Sequence, residues 1–99
     1  MSMGASMTVL KVPVGAATAI TSAAAVKIVS ANGARTHLRI KELTGQPVRL
    51  GGPDVATTSG WVLAASSEIA WDAEACPTGD IYAIATSTSG SVQVMEVIG

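Results

Sequence analysis

The chain has 99 residues, six Lys and Arg against seven Asp and Glu, a net charge of −1 and a single cysteine. That length accommodates one compact core and no second domain. The near balance of charge excludes the electrostatic footprint of a nucleic-acid or anionic-lipid binder, and one cysteine excludes an internal disulfide or a cysteine metal cluster.

Met1–Met7 is uncharged and built of small residues and methionines. It reads as an N-terminal arm that orders against a partner, with Met3 and Met7 as adaptable contact residues, and residues 8–99 form the domain proper. The apolar stretch from Val12 to Val26 does not read as a secretory leader. Only Lys11 precedes it, Pro13 and Gly15 interrupt it early, and Thr18, Thr21 and Ser22 break the run. No segment reaches the ~18 uninterrupted apolar residues of a membrane span. Ala16–Ala25 is alanine-rich, but its β-branched residues and its lack of charged i,i+4 pairs disfavour a helix; the pattern places no strand there.

From Thr8 onward, short runs of Val, Ile and Thr alternate with Gly, Pro, Asn and Ser, the punctuation of an all-β domain. The runs predict about eight strands near Thr8–Val12, Ala25–Val29, Thr36–Leu43, Pro47–Leu50, Trp61–Leu63, Glu68–Trp71, Ile81–Ala85 and Ser91–Val97. Eight short strands imply a single-domain antiparallel β-sandwich or a small barrel.

Alternation within the strands assigns faces. In Arg35–Lys41, Leu38 and Ile40 point to the core, whereas Arg35, His37, Arg39 and Lys41 form a basic stripe on the other face. Such a stripe suits an acidic partner surface, or is an ordinary solvated sheet face. It carries no aromatic side chain on which bases would stack, which speaks against nucleic acid. Ile81–Ala85 is apolar on both faces, as in a central strand covered on both sides. Val92 and Val94 lie on one face of the last strand, with Gln93, Met95 and Val97 on the other.

The core must come from Val, Ile, Leu and Ala, because aromatic residues make up only 3% and Phe is absent. Small side chains cover little area at roughly 25 cal/mol per Å², so association with further subunits is expected. Charged residues, at 13%, are about half the usual share of about 25%, which fits a surface that is partly covered.

Few residues offer chemistry. His37 has no second ligand at metal spacing, and Cys76, in the turn-like Ala75–Gly79, lacks a base and an orienting group at any recognisable spacing. Asp72, Glu74 and Asp80 lack calcium-loop spacing and read as solvated loop acids. Gly51–Asp54 reads as a tight turn rather than a phosphate loop. No catalytic, metal or cofactor residue is therefore assigned, and the chain is not expected to be an enzyme. Trp71 shares a face with Ile69 and is expected in the core. Trp61 follows Gly60 at a loop edge, where it suits an interface hot spot or a sugar-stacking platform.

The ordered series Ile28–Arg35, Leu38–Ile40, Gln46–Gly52, Val55–Gly60, Leu63–Ala65, Asp80–Ala85 and Val92–Glu96 resembles a small β-rich module of tailed-bacteriophage virion structural proteins, found on heads and in tails or fibres. Such modules often carry Asn-x-Gly after the Leu-x-Ile strand and Gly after Leu-Ala-Ala. Here Glu42–Gly45 and Ser66 stand at those places, so the two turns are where the geometry is expected to differ. The resemblance implies a virion component made in the host bacterial cytoplasm. Its leading form is a capsid decoration, or cement, protein on the head surface, with the major capsid protein and copies of itself, such as a trimer, as partners. No cofactor, nucleic acid or membrane is implied. The alternative is a tail or fibre recognition module that presents Trp61 to a host glycan.

Overall fold

A computed structural model describes residues 9–10, 18–72 and 74–98, and among them it contains nine strands and no helix. In chain order they are β1 (Val9–Leu10), β2 (Thr18–Thr21), β3 (Val26–Val29), β4 (Arg35–Glu42), β5 (Val48–Gly51), β6 (Trp61–Leu63), β7 (Glu68–Trp71), β8 (Ile81–Ala85) and β9 (Ser89–Ile98). All eight expected strands are present. The additional one, β2, lies in the alanine-rich stretch where the pattern placed none. Met3 and Met7 lie outside the described residues.

The strands form two antiparallel sheets packed as a sandwich. In the first, β1 and β2 share one edge of β9, followed by β4 and then β7; in the second the order is β3-β8-β5-β6. Among the described residues only β5 and β6 are both consecutive in the chain and hydrogen-bonded to each other. Every other connection from β2 to β9 passes from one sheet to the other.

The inner faces supply a core of Ile20, Leu38, Ile40 and Val92 from the first sheet and Val29, Val48, Leu50, Leu63, Ile81, Ala83 and Ala85 from the second. Full burial of each Val, Leu or Ile contributes about 1.5–3 kcal/mol. Gly90 lets this aliphatic core close: a Cβ there would lie 3.3 Å from Val48 Cγ1 and 3.4 Å from Ile20 Cγ1. Central strand β8 is buried on both faces, as its apolar pattern predicts, because Ile84 is covered on the side opposite Ala83 and Ala85.

The connection from β5 to β6 folds back on the outer face of the second sheet. Arg49 donates from Nε to the Thr57 carbonyl (3.1 Å) and from Nη1 to the Gly60 carbonyl (3.1 Å). Val55 is buried within this loop, and Gly51–Asp54 forms the expected turn, closed by the Val55 N–H on the Gly52 carbonyl. Gly60 has φ +114°, and a Cβ there would sit 2.5 Å from Val55 Cγ2 and 2.9 Å from the Leu50 carbonyl. Gly60 is therefore required where the loop packs against β5.

Candidate functional site

The basic stripe differs from the expected one at its first residue. Between Arg35 and His37 the β4 register against β9 shifts: Arg35 faces Ile98 and His37 faces Val97, leaving Thr36 as an extra residue. A bulge of this kind turns the residue before it to the opposite face. Arg35 therefore points inward, with only 3% of its surface exposed.

There it forms a buried ion pair, Nε to Glu96 Oε2 at 2.8 Å. Its Nη1 donates to the Pro77 carbonyl and, at 3.4 Å, to the Gly79 carbonyl, while Nη2 donates to the Ser30 carbonyl. One planar guanidinium thus ties the β3–β4 and β7–β8 loops to β9, a geometry that an ammonium does not reproduce. Arg35 is an internal clamp and not an exposed contact residue. Strict alternation along β4 concealed this, and an acid at Glu96, on the inward side of β9, was the available signal.

The outward row is half-buried His37 with exposed Arg39 and Lys41 on β4, beside Gln93, Met95 and Val97 on β9 and Glu68 and Ala70 on β7. Arg39 Nη1 lies 3.6 Å from Glu68 Oε2 in a solvent-exposed pair, so the face carries less free positive charge than β4 alone suggests. His37 Nδ1 is 3.0 Å from the Thr36 hydroxyl. A shallow depression of about 240 Å³ is lined by His37, Leu38, Arg39, Met95 and Val97. Met95 is 45% exposed. The face thus combines a thioether, a valine and cationic heads, residue types suited to a protein contact.

A second feature lies where β6 and β7, the last strands of their sheets, leave the sandwich open. Leu50, Gly51, Trp61, Ile69, Trp71, Pro77, Asp80 and Ile81 surround a mainly apolar cavity of about 300 Å³. Trp71 packs against the core, whereas Trp61 is 67% exposed. Both side chains belong to inward-facing strand positions, Trp71 opposite Leu38 and Trp61 opposite Leu50. Asp80 accepts a hydrogen bond from the Ala31 N–H (2.7 Å).

Sequence reasoning gave Glu42 no role, yet it is 1% exposed. Its Oε1 accepts from the N–H groups of Gly45 (2.8 Å) and Ser66 (2.8 Å), and its Oε2 from the Thr44 N–H (2.7 Å) and the Thr44 hydroxyl. Burial pushes its carboxyl pKa up, but the Thr44 hydroxyl and the Ser66, Thr44 and Gly45 N–H groups outweigh that and hold it below the ordinary value. Glu42 thus staples the Glu42–Gly45 turn to the Ser66 turn.

Cys76 is half-buried and its Sγ lies 3.6 Å from the Pro77 carbonyl. Burial pushes its thiol pKa up; Arg35 opposes this, while Glu96 and Asp72 add to it. Less thiolate, and so less nucleophile, is present at neutral pH than for a free thiol. Asp72, Glu74 and Asp80 are exposed. Among the described residues no group of three His, Cys, Asp or Glu is arranged to hold a metal ion, and no helix is long and apolar enough to cross a membrane.

Comparison of the chain with protein-family models, with curated proteins and with solved structures finds no match.

Proposed function

We propose that this chain is a non-enzymatic virion structural protein, a capsid decoration protein that docks on the assembled head shell through the outer face of its β1/β2-β9-β4-β7 sheet. The observation that carries this reading is the outward row of half-buried His37 and exposed Arg39 and Lys41, running beside exposed Met95 and half-buried Val97. Cationic heads next to a thioether and a valine suit a protein surface that is acidic around an apolar centre. The order of motifs along the chain resembles that of phage virion modules, which supports a virion setting, with the head shell as the leading partner.

The mechanism is linkage. A protein that binds the assembled shell and not its free subunits shifts assembly toward the shell, and many weakly held copies act together. Immunogold labelling of particles from the source lysate tests this directly. Label over heads supports decoration; label confined to tails favours recognition, and absence from particles rejects both. Arg39→Glu combined with Lys41→Glu is expected to weaken attachment to shells at least tenfold, and unchanged attachment would return those residues to a solvated face.

The Trp61–Trp71 cavity favours a second reading, a module that stacks a host glycan on Trp61 beside Asp80. Glycan-array binding that Trp61→Ala abolishes would support it, and an array without signal would remove it.

A further inference from the structure

A sandwich of two open sheets has four edges, and an edge strand presents unpaired N–H and C=O groups to any strand that approaches. Two edges here carry a charge, and a third exposes no large apolar side chain of β2. β3 carries Lys27 and a register shift between Lys27 and Val29. β7 carries Glu68, engaged with Arg39, and runs into Asp72. The remaining edge of the β9 sheet is divided between β1 and β2, and the one large side chain of β2, Ile20, is buried.

β6 has none of these protections. Among the described residues it pairs only with β5, and Gly60–Ser67 contains no charge, no proline and no bulge. Trp61 and Val62 are 67% and 49% exposed. Nor is this exposure that of a loose loop, because Arg49 and Val55 anchor the chain directly before the strand.

We propose that β6 is a self-pairing edge through which two copies of this chain join antiparallel about a twofold axis, fusing their four-stranded sheets into one of eight strands. The occupant follows from charge. A strand that recognises an acidic or basic partner carries the opposite charge, whereas an uncharged segment meets its own copy without opposing like charges. An isologous antiparallel pairing centred on Val62 places Val62 opposite Val62 on the outer face, and Trp61 of each copy opposite Leu63 of the other on the inner face. Arg49, the nearest cation on the outer face, has its guanidinium turned to its own loop carbonyls.

Three paired residues make a small interface, so the dimer forms with rising concentration rather than as an obligate unit. The β1/β2-β9-β4-β7 sheet stays uncovered. Association of the isolated chain does not depend on the shell-docking reading.

Sedimentation velocity of the full chain from low micromolar to millimolar concentration tests the proposal. A monomer–dimer equilibrium is expected, with Val62→Lys raising its dissociation constant at least tenfold while the monomer keeps the parent urea midpoint. In a Cys76→Ser background, Val62→Cys is expected to give a disulfide-linked dimer under mild oxidation. A monomer at every concentration, a trimer, or a dimer indifferent to Val62→Lys would overturn it.

Discussion

Arg35 and Glu96 are joined by a 2.8 Å ion pair whose arginine side chain has no solvent exposure and whose glutamate side chain retains 11%. An unpaired charge at this depth is far more costly than the intact pair is favourable. Glu96→Gln keeps the shape but leaves the guanidinium with carbonyl partners alone. It is expected to lower unfolding stability by about 3 kcal/mol, read from urea denaturation at neutral pH. Arg35→Lys is expected to lose about 2 kcal/mol, because one ammonium cannot reach Ser30, Pro77 and Glu96 together. Values below about 0.5 kcal/mol for both would mean that the clamp is not a stabilising element.

The pH dependence of stability should report Glu42. Unfolded, its carboxyl titrates near the ordinary 4.5; folded, it titrates lower. The unfolded state therefore binds the proton first as pH falls. The stabilisation is complete above about pH 5 and drains away as pH drops from about 4.5 through the folded value. Glu42→Gln is expected to cost about 1–3 kcal/mol at neutral pH, and its deficit relative to the parent should shrink on acidification through that window. A deficit that is constant with pH would assign the effect to shape and not to the carboxylate.

These two acids mark where sequence reading stopped. Alternation and turn residues located the eight expected strands because each pairs an apolar run with a nearby Gly, Pro, Asn or Ser. β2 was hidden because Thr18–Thr21 has one large apolar residue, Ile20, whose partner across the ladder is Gly90. Its strand state comes from the neighbour, not from its own pattern. Arg35 was misplaced for a related reason: a one-residue bulge is invisible in a strand of alternating charge, yet it reverses the face of everything before it. Glu42 looked like the polar end of a strand. Its role depends on the Ser66 N–H, 24 positions away, and no local signal reports that distance.

The two tryptophans should separate cleanly in stability measurements. Trp71 packs on the core, so Trp71→Ala is expected to cost about 2–3 kcal/mol. Trp61 is mostly exposed, and Trp61→Ala is expected to stay within about 0.5 kcal/mol. Acrylamide quenching of the Trp71→Phe variant should show a solvent-accessible indole at Trp61. Equal losses for the two alanine variants would place Trp61 in the core.

Folding should be slow for the chain length. Apart from β5–β6, every hydrogen-bonded strand pair joins segments that are not consecutive in the chain, so loops must close before most ladder contacts form. Non-local β topologies of this size fold in about milliseconds to seconds. Stopped-flow refolding monitored by tryptophan fluorescence is expected in that range, and completion within about 100 μs would contradict the long-range pairing.

Ser66 adopts φ +60°, a left-handed conformation that disfavours a residue bearing a Cβ. The serine is tolerated because Glu42 holds its N–H at 2.8 Å, and the same carboxylate binds Gly45, also left-handed at φ +77°. Ser66→Gly should retain the hydrogen bond, since only backbone is involved, and remove the steric penalty at the cost of some chain entropy. A net gain of about 0.5–1 kcal/mol is expected. In a Glu42→Gln background the gain should be larger, because the remaining turn has less to hold it in the left-handed region. A loss of stability in both backgrounds would mean that the serine side chain makes a contribution of its own and that the strain at this turn is negligible.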